Sequence, residues 1–225
     1  MDFPLRILTA NLYNGRARPD ALRAVINEVD PDVMAVQELS PNAADVMVDV
    51  FPFGLFDPRE DTKGMALALR RPGVVERVPF GPRSMLRVLL DPAYWPGLGR
   101  PVEVVNAHLH NPLSGPPLKA RATRRHQLAA LEELLGEPGP ARVLVGDFNS
   151  SPLWPAYRHL RALATDAAVA AGTTQATWGL WPWSPRFLRI DHAFVQQLTP
   201  TATNTVRIKG TDHSALVVDL DVPEK

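Results

Sequence analysis

The chain has 225 residues, 45% hydrophobic and 21% charged, which suffices for a sizeable core and argues against disorder. Lys plus Arg equals Asp plus Glu at 24 each, so the chain lacks the basic excess common in nucleic-acid binders and its charge identifies no partner. It has no cysteine, which excludes disulfides, thiolate metal sites and thiol catalysis.

The opening "MDFPLRILTANL" lacks the charged-then-apolar layout of a signal peptide, and no apolar run approaches the ~20 residues of a membrane span. The expectation is a cytoplasmic protein. "LRILTANL" (Leu5 to Leu12) alternates as a strand with Thr9 and Asn11 on one face, and a helix follows from Pro19 and Asp20 with Leu22, Val25, Ile26 and Val29 on one side. "VMAVQEL" (Val33 to Leu39) is a strand with Met34, Val36 and Glu38 sharing a face. "GMALALRR", "SMLRVLLD" and "VEVVNAHL" are three more strands between Pro/Gly turns. "PLKARATRRHQLAALEELL" is a helix with a core stripe of Leu128, Leu131, Leu134 and Leu135. "RVLVGDFN", "RIDHAFV" and "HSALVVDLDV" complete the strands. The 23 prolines are spread throughout and no repeat or linker divides the chain, so residues 1–225 read as a single domain. Short apolar strands outnumber helices, which suggests two stacked sheets with helices outside.

Polar residues recur where these apolar strands end: Asn11, Glu38, Asn106, His108, Asp147, Asn149, Asp191, Asp212 and His213. Period-2 geometry puts Asn106 with His108, and Asp147 with Asn149, on a common face. Each has an ordinary explanation alone, as a cap, a solvated strand end or a satisfied core histidine. Burying so many polar groups is costly, and convergence on one site explains all of them together. The oxygen-rich set Asn11, Glu38, Asp147, Asn149, Asp191 and Asp212 suits Mg²⁺ or Mn²⁺, and His108 and His213 can serve as donors to an oxyanion. Cation, carboxylate and histidine together suit phosphoester hydrolysis, whereas a serine triad lacks its G-x-S-x-G elbow.

In this order, "TANL", "VQEL", "NAHLHNP", "GDFNSSP", "RIDH" and "GTDHSAL" resemble the motifs of the endonuclease/exonuclease/phosphatase superfamily. The resemblance implies a DNase I-like fold, a four-layer α/β/β/α sandwich of two mixed β-sheets, and a phosphohydrolase that cleaves a phosphodiester, phosphomonoester or pyrophosphate. It implies Glu38 as principal metal ligand with Asn11 and Asp212 close by, Asp147 on the attacking water, and Asn149 on phosphate or metal. His213 would then contact the phosphate with Asp191 behind it, and His108 would be a second donor. His192 is expected to be structural and Asn106 a support. No catalytic tyrosine is evident between the NAHL and GDFN blocks, so the chain resembles the histidine-using branch, which includes nucleases and sphingomyelinases.

Two segments bear on the substrate. Lys119, Arg121, Arg124, Arg125 and His126 open a helix, and Arg121 or Arg124 either faces the cleft as a phosphate ligand or belongs to a solvated basic face. In "TWGLWPWSPRFLRID", Trp178, Trp181, Trp183, Phe187 and Leu188 crowd a loop just before Asp191. They either overhang the cleft mouth, to stack bases or grip an acyl or polyprenyl chain at a membrane surface, or form a satellite apolar cluster. With only Arg186 and Arg189 nearby, the loop favours a lipid-linked phosphate, with nucleic acid as the alternative substrate and a non-catalytic binding module as the alternative class. No obligate protein partner is evident.

Overall fold

The computed structural model describes residues 4–223, in which twelve strands form two six-stranded sheets. In chain order the elements are β1 (Leu5–Asn11), α1 (Pro19–Val29), β2 (Val33–Gln37), α2 (Pro41–Val48), β3 (Phe53–Asp57), β4 (Met65–Leu69), β5 (Glu76–Phe80), β6 (Arg83–Leu90), β7 (Val102–His108) and α3 (Pro117–Gly136). The chain continues with β8 (Ala141–Asp147), α4 (Pro155–Leu163), β9 (Thr165–Asp166), α5 (Ala167–Ala170), β10 (Asp191–Gln196), β11 (Thr199–Arg207) and β12 (Ser214–Asp221). The first sheet runs β11-β12-β1-β2-β4-β3 and the second β5-β6-β7-β8-β10-β9. Only β1/β2 and β7/β8 are parallel, so both sheets are mixed.

The central strands are apolar on both faces because both faces are covered. Ile7, Val33, Leu67, Val104, Val143 and Val218 point between the sheets and form the inner core. Leu8, Met34 and Val217 point outward under α1 and α2. Leu144, Phe148 and Phe194 do the same under α3 and α4, where they meet Leu131 and Leu160. The expected four-layer α/β/β/α sandwich is therefore the observed one. Burying about 60 such side chains supplies the hydrophobic term; a typical core Leu or Phe contributes about 1.5–3 kcal/mol. Among the described residues no helix is long and apolar enough to cross a membrane.

Two expected strands end early. β2 stops at Gln37 because Glu38 adopts a left-handed conformation (φ 57°), and β8 stops at Asp147 with Asn149 likewise left-handed (φ 46°). Strand alternation therefore does not carry Glu38 onto the face of Val36, nor Asn149 onto that of Asp147. Turn geometry aims both side chains instead. Within β8, Gly146 has φ 140°, and a Cβ there would sit 1.9 Å from the Ala107 carbonyl oxygen of β7. Only glycine lets β7 and β8 approach closely just below Asp147.

Candidate active site

β1, β2, β7 and β8 all finish at one end of the sandwich, where β10 and β12 begin. Register places His108 beside Asp147 and Asp147 beside Asp191 on three neighbouring strands, while Asn11 pairs with Gln37 in the facing sheet. Below them the sheets are joined by polar contacts. Gln37 Nε2 donates to Asn106 Oδ1 at 2.7 Å and to Thr9 Oγ1 at 3.1 Å. Asn106 Nδ2 donates across the interface to the carbonyls of Val36 (3.0 Å) and Ala66 (2.8 Å), which suits its expected supporting role.

Above this floor a cleft of about 450 Å³ is lined by Asn11, Glu38, His108, Asp147, Asn149, Asp212 and His213. Asp191 stands behind them and accepts a hydrogen bond from His213 Nδ1 at 2.9 Å. Asn11 Oδ1 accepts from the Tyr13 amide at 2.8 Å, which turns its NH₂ toward Glu38 Oε1 (3.3 Å) and Asp147 Oδ2 (3.0 Å). Asn149 Nδ2 donates to Asp147 Oδ2 at 3.2 Å and to the Leu109 carbonyl at 3.0 Å, while its own amide donates to Asp147 Oδ1 at 2.8 Å. His108 Nε2 lies 3.6 Å from Asp147 Oδ2 and His213 Nε2 lies 3.9 Å from the same oxygen. Asp147 is thus the hub of the cluster.

The electrostatics follow from burial. Desolvation and the neighbouring Asp191 carboxylate push Asp147 up to about 7. Burial also raises Glu38, against the opposing donation from Asn11. Burial alone would depress His213, but the charge and hydrogen bond of Asp191, aided by Asp147 and Asp212, outweigh it and raise the ring to about 9. No carboxylate of the described residues hydrogen-bonds His108, so burial drives it well below the ordinary histidine value and Arg83 and His213 add to the effect. One histidine is held cationic and the other neutral.

The carboxylates here outweigh the cations, and the imbalance fits a divalent ion. Asp212 Oδ2 accepts from Trp178 Nε1 at 3.1 Å, yet its Oδ1 is buried with no hydrogen-bond partner among the described residues, His213 Nε2 lying 4.0 Å away. Asp147, Asp191 and His213 also bring ligand atoms within 4.8 Å of one another, but His213 is committed to Asp191, which leaves the carboxylate oxygens of the cleft as the available donors. Oxygen donors of this kind suit Mg²⁺ or Mn²⁺ better than softer metals.

The sequence profile of the Endonuclease/Exonuclease/phosphatase family matches residues 8–213, from β1 to the loop entering β12. The chain belongs to this family. Solved structures share the family fold at low identity. A Beutenbergia cavernae endonuclease/exonuclease/phosphatase is 22% identical with a TM-score of 0.69, over 98% of this chain and 72% of that one. The 3′ phosphatase NExo from Neisseria, bound to product DNA hairpin, is 18% identical with a TM-score of 0.74, over 96% of this chain and 99% of that one. D. rerio TDP2 complexed with single strand DNA product is 17% identical with a TM-score of 0.73, over 96% and 98% of the two chains. No curated protein matches the chain in sequence.

Within the family fold, the residues expected at the substrate end divide. Trp178 lines the cleft, pinned by Asp212 and packed edge-on against Phe187 at 5.4 Å. Trp181 and Trp183 lie beyond the cleft lining, stacked on each other at 6.5 Å and 53% and 80% exposed. Arg124 does not line the cleft; its guanidinium donates to the His110 carbonyl and to Ser150 Oγ (2.6 Å) and lies over Trp154. Arg121 is exposed and lines a neighbouring depression with Trp154. The two loop arginines are also consumed: Arg186 by four backbone carbonyls, Arg189 by Asp166 (2.7 Å) and Tyr157. His192, as expected, is structural: its Nε2 donates to the Ser150 carbonyl at 2.8 Å among Phe148, Tyr157 and Phe194.

Sequence reasoning missed Arg83, Tyr13, Arg16 and Trp154, all of which line the cleft. Arg83 opens β6 directly after the Gly81-Pro82 turn, where neither alternation nor a motif marks it.

Proposed function

We propose that the chain is a divalent-metal-dependent phosphohydrolase that directs water onto a phosphoester in this cleft. The observation carrying the reading is that residues from six strand ends, far apart in sequence, meet around Asp147. Glu38 and the unpartnered Asp212 Oδ1 would hold Mg²⁺ or Mn²⁺, with Asn11 fixing Glu38 and Asp147 beside it. Such an ion supplies Lewis-acid polarisation of the phosphoryl oxygens and charge neutralisation.

The chain's own groups account for the remaining work. Asp147, poised near neutrality, orients the attacking water and accepts its proton, and Asn149 restrains the carboxylate and faces the phosphate. The His213 cation, held by Asp191, hydrogen-bonds a non-bridging oxygen whose negative charge grows in the transition state. Neutral His108 donates a hydrogen bond toward the phosphate or the leaving oxygen. Residues 1–225 act as one catalytic unit on this reading, supported by an inner core to which both sheets contribute.

For the substrate we favour a lipid-linked phosphate. Exposed Leu113 and Trp154 line the cleft, and exposed Leu180, Trp181, Trp183 and Phe187 belong to the loop that carries the cleft residue Trp178, an apolar surface suited to an acyl chain or peripheral membrane contact. A nuclease reading is supported by the family neighbours that hold product DNA. A panel of nicked and single-stranded DNA, RNA, sphingomyelin, inositol phosphates and a polyprenyl diphosphate, each with Mg²⁺ or Mn²⁺, separates them. DNA cleavage lost in His213→Ala with no lipid turnover would reverse the substrate preference.

A further inference from the structure

Arg83 is a half-buried cation without a counter-ion among the described residues. The Gly81-Pro82 turn sets it at the start of β6, with Gly81 at φ 67° and Phe80 paired to Arg83 across the hairpin. Its guanidinium contacts only neutral groups: Nη1 lies 3.2 Å from His110 Nδ1 and Nη2 donates to Thr62 Oγ1 at 3.3 Å. His110 Nε2 lies 3.1 Å from the Ser114 carbonyl, so that nitrogen carries the hydrogen and Nδ1 is left to accept from Arg83. Nε of Arg83 is buried with no hydrogen-bond partner among the described residues. Glu38, Asp147 and Asp61 act on it electrostatically, yet none pairs with it among the described residues. By contrast Arg59 and Arg77 meet Asp57 at 3.2 and 2.5 Å, and Arg6, Arg87, Arg142 and Arg189 all pair with carboxylates.

Arg83 also belongs to two concavities at once. It lines the catalytic cleft, and it lines a second groove of about 460 Å³ with Arg59, Lys63, Arg77 and Ser84, where Asp57 is the one acidic lining residue. Arg83 is the residue that both linings share, and Trp178 lines the cleft alone. A guanidinium kept unpaired at such a junction matches the bidentate geometry of a phosphate.

We propose that Arg83 and the basic groove behind it bind a second phosphate of the substrate, next to the phosphate that is hydrolysed in the cleft. The inference rests on the phosphoesterase reading of the cleft. It holds for any source of that second phosphate, whether a diphosphate or the neighbouring linkage of a nucleotide chain.

Paired substrates test it: geranyl diphosphate against geranyl phosphate, and 5′-phosphorylated against unphosphorylated thymidine dinucleotide, each with Mn²⁺. In the wild type kcat/KM favours the two-phosphate member of at least one pair by about ten-fold or more, the size of one charge-assisted contact. That ratio falls toward one in Arg83→Gln, is partly restored in Arg83→Lys, and falls a few-fold in Arg77→Gln, which leaves Arg59 to pair with Asp57. The pair that responds identifies the source. A wild-type ratio near one in both pairs, or an Arg83→Gln loss equal for both members, overturns the subsite. Absence of turnover of every substrate overturns the phosphoesterase reading instead. Calorimetric binding of pyrophosphate against orthophosphate then decides the subsite alone, which predicts a preference for pyrophosphate that Arg83→Gln abolishes.

Discussion

Replacing Arg186 with alanine should unlock the tryptophan loop from the catalytic segment without unfolding the sandwich. The guanidinium donates to the Trp181 and Ser184 carbonyls within the loop (3.2 and 3.1 Å), and to the Thr211 and His213 carbonyls across from it (2.9 and 3.1 Å). Of these four bonds only the second pair joins the loop to the segment bearing Asp212 and His213. Hydrogen bonds from a charged donor contribute about 1.5–3 kcal/mol each, but this guanidinium has been partly desolvated, and burial together with Arg207 lowers it to about 10. Setting that cost against two bridging bonds leaves roughly 2 kcal/mol for holding the loop. Local opening should therefore become about 30-fold more frequent. Hydrogen exchange reads this directly at the Gly179 amide, which donates to the Asp212 carbonyl at 3.1 Å, and at the Ser214 amide, which donates to Thr177. Protection of both should fall by that factor while amides of β1 and β8 keep theirs. A lysine at the position has three donors on one nitrogen and cannot span four carbonyls, so it should recover only part. Unchanged protection at Gly179 and Ser214 in Arg186→Ala would refute the clamp.

Two further consequences concern the support beneath the site. Asp166 accepts from Arg189 Nη1 and Tyr157 Oη, both at 2.7 Å, so Asp166→Ala strands a buried cation and should cost about 3–5 kcal/mol in urea unfolding. The paired change Asp166→Leu with Arg189→Met should recover most of that. His192 is held at about 4 by burial, with Arg189 adding, whereas the unfolded ring titrates near 6.5. Between those values the unfolded chain binds a proton that the folded one refuses, so stability should fall as pH drops from about 6.5 to about 4, by up to about 3 kcal/mol. The wild type should therefore lose more stability over that window than His192→Gln, measured by urea midpoints at each pH; equal losses would show that His192 does not carry the effect.

Much of the site was legible because strands advertise their ends. His108 and Asp147 are the last residues of β7 and β8 and Asp191 the first of β10, so an apolar run broken by a carboxylate or imidazole marked the rim of the sandwich. Glu38 and Asn149 were found for their chemistry but with the wrong local geometry, since a left-handed residue after a strand leaves no trace in apolar alternation. The edge strand β11, "TPTATNTVR", went unread because its Thr-rich, proline-containing sequence carries little hydrophobic pattern, and α4 because its buried face is only Tyr157 and Leu160. Arg124 shows the limit of helix periodicity. Its face was placed correctly near the site, but the His110 carbonyl and Ser150 Oγ satisfy its donors. Arg83 stayed hidden because what distinguishes it, a place in the lining of two concavities with no carboxylate bound to it among the described residues, exists only in three dimensions.

The central claim is tested most directly by the hydrolysis of bis(p-nitrophenyl) phosphate by the wild type and by Asp147→Ala, with Mn²⁺ or Mg²⁺ and again after chelation. The account predicts p-nitrophenolate release that requires the metal and drops by about two orders of magnitude or more in Asp147→Ala, the usual scale for losing a group that handles a proton in the transition state. Wild-type release no faster than that of Asp147→Ala, with or without metal, would contradict it.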